Sequence, residues 1–203
     1  MSPAAIAPIL SILLLITITS TVTIAETNFL RVEGSKLMLG DEEVYLSGAN
    51  LPWINFGNDF GNAQPNGKKC SLQDSLTFIR ESGGNSIRVW LFTYGDFIPL
   101  WDEGTGFVLG TDSAGTLIEE VDRYSARTNH NILRPNSCDI HRFISFAESQ
   151  DVLVTLSLWT GAGMPNQKVA DMVRDADKTQ SFIDNALTPL VEALAGHNGL
   201  AAW

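Results

Sequence analysis

The chain has 203 residues, 44% hydrophobic and 18% charged, a balance that suits an ordinary single globular domain and excludes disordered and fibrous classes. Asp and Glu outnumber Lys and Arg by 23 to 13. The resulting net charge of -10 repels phosphate backbones, which argues against a nucleic-acid partner and leaves neutral polymers such as polysaccharides compatible.

Residues 1–25, MSPAAIAPILSILLLITITSTVTIA, read as a signal peptide. The apolar run Ile9–Ile18 is short for a membrane span, and Thr23 and Ala25 are small residues at the positions a signal peptidase reads. No Lys or Arg precedes that run, so an N-terminal membrane anchor is the alternative. Secretion with cleavage after Ala25 is the expectation, leaving 26–203 as an extracellular domain without a membrane partner. Export permits disulfides. Cys70 and Cys138 allow one bridge, and partners elsewhere fit the count equally well. His130, His141 and His197 show no metal-type spacing and read as surface histidines, so neither a metal nor another cofactor is expected.

After the leader, FLRVEGSKLMLGDEEVYLSGANL carries two extended stretches around Gly40-Asp41, a hairpin signal, the second stretch running from Val44 to Asn50. A loop over 51–69 follows, rich in Gly, Asn and aromatics. SLQDSLTFIRESGG predicts a helix, with Ser71 and Asp74 in its first turn, Leu72, Leu76 and Ile79 on its apolar face, and Gly83-Gly84 as its stop. NSIRVWLF is a β-branched and aromatic run, hence a strand, and a second long loop covers 93–113. A helical stretch starts near Leu117, breaks at RPNSC and resumes at DIHRFISFAESQD. VLVTLSLW predicts a further strand, 160–178 a third loop, and about Thr179 to Ala195 the last helix before GLAAW, which has the look of a strand entry. Residues 121–133 loosely echo 140–153, as an insertion lengthening the second helix or as a duplicated piece.

Strands alternating with helices imply parallel βα units, whose chemistry sits at the strand C-termini. The long segments fall after strands and the short returns after helices, which favours a (β/α)8 barrel, here an N-terminal hairpin, three units and the start of a fourth strand. Alternation along NSIRVWL puts Ile87, Val89 and Leu91 toward the helices, and Ser86, Arg88 and Trp90 toward the interior. An interior Arg asks for an anionic partner, so Arg88 is a candidate for holding a carboxylate. In the third strand Val152, Val154, Leu156 and Leu158 face the helices, whereas Leu153, Thr155, Ser157 and Trp159 face in. Trp53, Trp90 and Trp159 at successive strand ends, with Trp101 in the second loop, suggest aromatic platforms for the apolar faces of sugar rings. Asn50, the polar residue ending the first strand, joins the candidate substrate-binding set. Asp59, Asp96, Asp102, Glu103 and Asp112 lie in loops and read as solvated charge.

The segments YLSGANLPWINFGNDFG, SGGNSIRVWL, LVTLSLWTGA and GLAAW, in this order, resemble the animal-type endo-β-1,4-mannanases of glycoside hydrolase family 5. The similarity runs from about Phe29 to Trp203, apart from 118–138. The resemblance implies a (β/α)8 barrel that cleaves mannan, glucomannan or galactomannan with retention, using two glutamates. It implies that Arg88 holds the nucleophilic carboxylate ionised and in place, and that Trp53 and Trp159 line the glycone side. Thr160 and Phe92 depart from the family, which has Asn and His there. In the family a strand opening like GLAAW runs on into a segment resembling EIMNEPEG, which carries the acid/base glutamate, and the nucleophile comes later. Both fall past the position matching Trp203, so the expectation is an N-terminal portion without catalytic residues of its own, inactive by itself. A family 5 β-1,4-glucanase and a non-catalytic sugar-binding fragment are the alternatives.

Overall fold

The computed structural model describes residues 28–62, 71–118, 140–160 and 166–203. The signal peptide and its cleavage point, the Cys70 and Cys138 pair, and the self-similar stretch 121–133 lie outside the described residues.

The described chain begins with a three-stranded antiparallel meander, β1 (Leu30–Glu33), β2 (Lys36–Leu39) and β3 (Glu42–Glu43). Its two-residue turns carry Gly34 and Gly40 at φ 61° and 57°, the left-handed backbone that such turns need. The sequence signal shows the Gly40-Asp41 turn, whereas the Gly34-Ser35 turn adds a strand that was not foreseen. Of the expected stretch Val44–Asn50, only Gly48–Asn50 is a strand, β4, and it belongs to a different sheet.

That second sheet has four parallel strands in the order β4, β5 (Ser86–Thr93), β8 (Leu153–Trp159) and β9 (Leu200–Ala202). A Cβ on Gly48 would stand 1.6 Å from the Ser86 carbonyl oxygen, so a side chain there cannot fit beside β5. Helix α1 (Ser71–Glu81) joins β4 to β5 and ends as its residues dictate. Gly83, at φ 80°, lets the Gly83 and Gly84 N–H groups close back on the carbonyls of Arg80 and Ile79. Helix α2 (Ile140–Ser149) precedes β8.

One face of the sheet is covered. Ile87, Val89 and Leu91 of β5 and Val154 and Leu156 of β8 are buried with Leu72, Leu76 and Ile79 of α1 and Phe143, Ile144 and Ala147 of α2. Burying each large aliphatic side chain contributes about 1.5–3 kcal/mol, so this face carries most of the cohesion. On the other face Gly48, Asn50 and Arg88 are exposed, and Trp90, Thr155, Ser157 and Trp159 are half-buried. The alternation expected for both central strands holds except at Leu153, which is buried too.

Two expected loops contain regular structure. Within 93–113, β6 (Leu100–Trp101) and β7 (Val108–Gly110) pair as an antiparallel hairpin, each too short to show an alternation in sequence. Within 160–178, α3 (Gln167–Arg174) is capped by the Asn166 side chain, which accepts from Lys168 N–H at 2.9 Å. The predicted last helix starts earlier, as α4 (Ala176–Phe182), capped by Asp175, and runs through a π-helical turn (Ile183–Leu187) into α5 (Thr188–Leu194). Pro189 lacks an N–H and its ring collides with the carbonyl four residues back, so the helix widens just before it. The widened turn faces the hairpin: Asn185 Nδ2 donates to Val108 O at 2.8 Å, and Ser181 Oγ accepts Val108 N–H at 3.0 Å.

Two of the three histidines differ from expectation, and His130 lies outside the described residues. His141 is only 6% exposed, and its Nδ1 lies 3.0 Å from Nε2 of His197. His197 Nδ1 in turn lies 3.3 Å from Glu148 Oε1, which accepts Gly199 N–H at 2.9 Å. Residues 56 positions apart are joined here, so spacing alone could not reveal the pair. Together they fasten the turn that launches β9 onto α2. Among the described residues no helix is long and apolar enough to cross a membrane, and no group of three or more His, Cys, Asp or Glu could hold a metal ion.

Candidate functional site

In register, Asn50 of β4, Arg88 of β5 and Thr155 of β8 form one row on the uncovered face, and Ser157 stands further along β8, opposite Trp90. Arg88 donates from Nη2 to Ser157 Oγ at 2.5 Å and from Nη1 to Asn50 Oδ1 at 3.4 Å. Its Cζ stands 5.5 Å from the centre of the Trp90 ring, a cation–π contact worth about 0.5–1 kcal/mol at an exposed site. The expectation of a buried Arg is corrected: Arg88 is exposed on the uncovered face, and no carboxylate of the described residues pairs with it. A guanidinium has five N–H donors, so two short-range partners fix its plane while other donors remain directed at the open face.

Around this row the aromatic residues form two groups. Trp53 packs edge-on against Trp90 at 5.3 Å and against Phe56 at 5.1 Å, and Phe56 lies 5.2 Å from Tyr94. Phe56 remains 42% exposed and forms the outer lip. The second group is Trp159, stacked on Phe92 at 5.0 Å and tilted against Phe182 at 5.3 Å. The β5–β8 register shifts between Trp90 and Thr93, and this irregularity breaks the alternation. Phe92 therefore turns into the core and backs Trp159 instead of standing in the mouth. Thr160, the other departure from the resembled family, is buried and gives its N–H to Thr93 O at 3.1 Å. Trp101 is brought near, yet it is 7% exposed and its indole donates to Gly95 O at 2.8 Å, so it packs the hairpin and presents no open platform.

Asp112 departs from the reading of the five loop carboxylates as solvated charge, whereas Asp96 and Glu103 are exposed as expected, each with a polar partner. Asp112 is 5% exposed and accepts from Asn62 N–H at 2.5 Å and from Thr116 N–H and Oγ at 3.1 Å, tying the first two loops together. Asp59 caps Ile54 and Asn55, Asp96 accepts from Asn166, and Glu103 pairs with Lys168. Asp102 accepts the N–H groups of Thr105 and Gly104 at 2.8 and 2.9 Å. Those bonds, Thr105 foremost, hold its carboxyl below the ordinary 3.8. No pair among them sits as two facing carboxylates at a strand end.

Thr93 is the residue that sequence reasoning missed. It is a β-branched residue at φ 55°, 2% exposed, and its hydroxyl has no hydrogen-bond partner. The buried Trp90 Nε1 is likewise without one. Nothing in FTYGD signals a left-handed Thr, because the residue type disfavours that backbone.

No family model matches the sequence. A mannan endo-1,4-β-mannosidase of Cryptopygus antarcticus is 36% identical over 193 residues, 95% of this chain and 45% of that protein. A mannan endo-1,4-β-mannosidase of Mytilus edulis is 32% identical over 176 residues, 86% of this chain and 42% of that protein. Among solved structures, the β-1,4-D-mannanase of C. antarcticus superposes with a TM-score of 0.73 at 36% identity, covering 86% of this chain and 43% of that one. The endo-1,4-β-mannanase of Eisenia fetida gives 0.72 at 34% identity, with 86% and 44% covered. The chain thus spans less than half the length of the relatives it matches. Along most of its own length it is a homologue of mannan endo-1,4-β-mannosidases.

Proposed function

We propose that this chain is the N-terminal half of the (β/α)8 catalytic domain of a secreted family 5 endo-β-1,4-mannanase. The parallel strands β4, β5, β8 and β9 are then barrel strands one to four, and the uncovered face is the lumen side. The observation that carries the reading is the convergence of Asn50, Arg88, Trp53, Trp90 and Trp159 at the C-terminal ends of neighbouring parallel strands. Barrels of this type keep their chemistry at that end.

Hydrolysis with retention needs two carboxyl groups roughly 5 Å apart flanking the scissile bond. In this reading both come from residues beyond Trp203, one as acid/base and one as nucleophile. Arg88, held by Ser157 and Asn50, sits beside the nucleophile and favours its ionised form as a neighbouring positive charge. The indoles of Trp53 and Trp159 offer apolar faces to the C–H sides of successive sugars. The reaction requires no cofactor.

The test is a parallel assay of the complete protein on mannan, glucomannan and carboxymethylcellulose. Mannan hydrolysis is expected, with the β-anomer appearing first by NMR. Equal or higher activity on cellulose would point to a glucanase, and turnover by residues 26–203 alone would overturn the missing-glutamate part. Amino-terminal sequencing of the protein from culture medium should begin at Glu26; recovery only in the membrane fraction would refute secretion.

A further inference from the structure

Beyond the five residues expected to touch substrate, the end of β5 contains a device the proposed function does not use. The turn Thr93-Tyr94-Gly95 is where three loops meet. Thr93 pairs with Trp159 of β8 and its carbonyl accepts Thr160 N–H at 3.1 Å. Tyr94 lies against Phe56 at 5.2 Å, and Gly95 accepts the Trp101 indole N–H at 2.8 Å. On its other side Thr93 fills the space over Gly57, where an added Cβ would stand 2.6 Å from Thr93 Oγ1 and 2.7 Å from its Cβ.

Two costs are tolerated at this spot. A β-branched residue is held at φ 55°, and a buried hydroxyl is left without a hydrogen bond. A Gly at 93 would remove both costs. What it would also remove is the branched side chain that seats Gly57, and with it the neighbouring Phe56 and the Trp53 ring packed on Trp90. The strain persists because the shape of that side chain is needed by the loop above it.

We infer that Thr93 is a positioning residue: its strained, branched side chain sets the height of the Trp53–Phe56 shelf relative to Arg88 and Trp90, and so the geometry of the sugar cleft. The inference rests on the cleft reading above for its consequence in catalysis, but its geometric core does not. Thr93 touches no substrate in this account; it acts through Gly57.

The experiment uses the complete protein and the variants Thr93→Gly, Thr93→Val and Gly57→Ala. The first readout is the circular-dichroism couplet from the Trp53–Trp90 pair, which reports their mutual orientation without substrate. Thr93→Gly and Gly57→Ala are expected to reduce the couplet with the helical signal kept; the melting temperature changes little in Thr93→Gly and falls in Gly57→Ala, whose added Cβ meets Thr93 at a positive φ. Thr93→Val keeps the branched shape and retains the couplet. An unchanged couplet in both Thr93→Gly and Gly57→Ala overturns the inference. The second readout is kinetics on mannohexaose: KM should rise several-fold in Thr93→Gly and Gly57→Ala with kcat within about twofold, and return to the wild-type value in Thr93→Val, the pattern of lost positioning. A proportional loss of kcat and stability in Thr93→Gly, with Thr93→Val equally damaged, would reduce Thr93 to a structural residue and overturn the inference. If the wild type does not cleave mannan, the proposed function fails while the couplet still decides the geometry.

Discussion

The two ends of the parallel sheet are built on different terms. Three of the four non-glycine residues with positive φ among the described residues, Phe56, Asn62 and Thr93, lie at the C-terminal end, and only Asp151 lies at the other. Asp151 follows a helix, a place where a short polar residue adopts this backbone at small cost. Phe56 and Thr93 have no such excuse. At the N-terminal end the returns are short, His197 links His141 to Glu148, and the meander flanks the sheet. At the C-terminal end two buried polar atoms are left without partners and a charged Arg is exposed among aromatic rings. Local conflicts of this kind gather where geometry serves something other than stability.

The largest way to break that contrast is Arg88→Ala. Being exposed, with bonds to Ser157 and Asn50 and a cation–π contact to Trp90, Arg88 should change stability by about 0.5–1 kcal/mol when removed, read as the urea midpoint. In the complete protein kcat/KM should fall about 10²–10³-fold, the usual scale for losing one electrostatic group at a reacting centre. A loss of stability without a loss of rate would move Arg88 to the structural side. Next is Asp112→Ala, at the functional end but structural in its bonding. It strands the Asn62 and Thr116 donors and should cost about 1–3 kcal/mol, with KM rising as the two loops separate. Unchanged unfolding would show that those loops hold without it.

His197→Ala tests the opposite end. Removing the ring breaks its contacts to His141 and Glu148 and should cost about 0.5–1.5 kcal/mol by chemical denaturation, leaving KM on mannan oligosaccharides unchanged. A shifted KM would mean that the launch of β9 is coupled to the cleft. The smallest effect concerns Asp102. Its folded carboxyl titrates below the ordinary 3.8, so its bonds to Thr105 and Gly104 contribute fully above that pH and are lost only as acidity passes the lowered value. The protection of the Gly104 and Thr105 amides, measured relative to their intrinsic exchange at each pH, should therefore persist down to about pH 3.8 and fall away below it. Protection already lost near pH 5 would contradict the lowered value.

How much of this was legible in sequence depended on the range of the physics involved. The central strands announced themselves because NSIRVWL and VLVTLSL alternate and are β-branched, and α1 because its first turn and its glycine stop are local signals. The inward placement of Arg88 and Trp90 followed from that alternation. Phe92 and Thr93 did not, because the irregularity after Trp90 cancels the period just where the site begins. Helix α3 was hidden in a polar stretch, although Asn166 as its cap and Val169, Ala170 and Met172 as its buried side were there to be read. Asp112 and the histidine pair depend on partners 50 and 56 residues away, and no window along the chain contains such a pairing.

The π-helical turn before Pro189 has an effect on what can change in this molecule. Because Asn185 and Ser181 capture the carbonyl and the N–H of Val108, the β6–β7 hairpin is moored by the backbone of one residue to a neighbouring helix. The tip between Trp101 and Val108 then meets α3 at the surface, through Glu103 and Lys168. A change in its length would act first on that surface pair and leave the Val108 mooring in place.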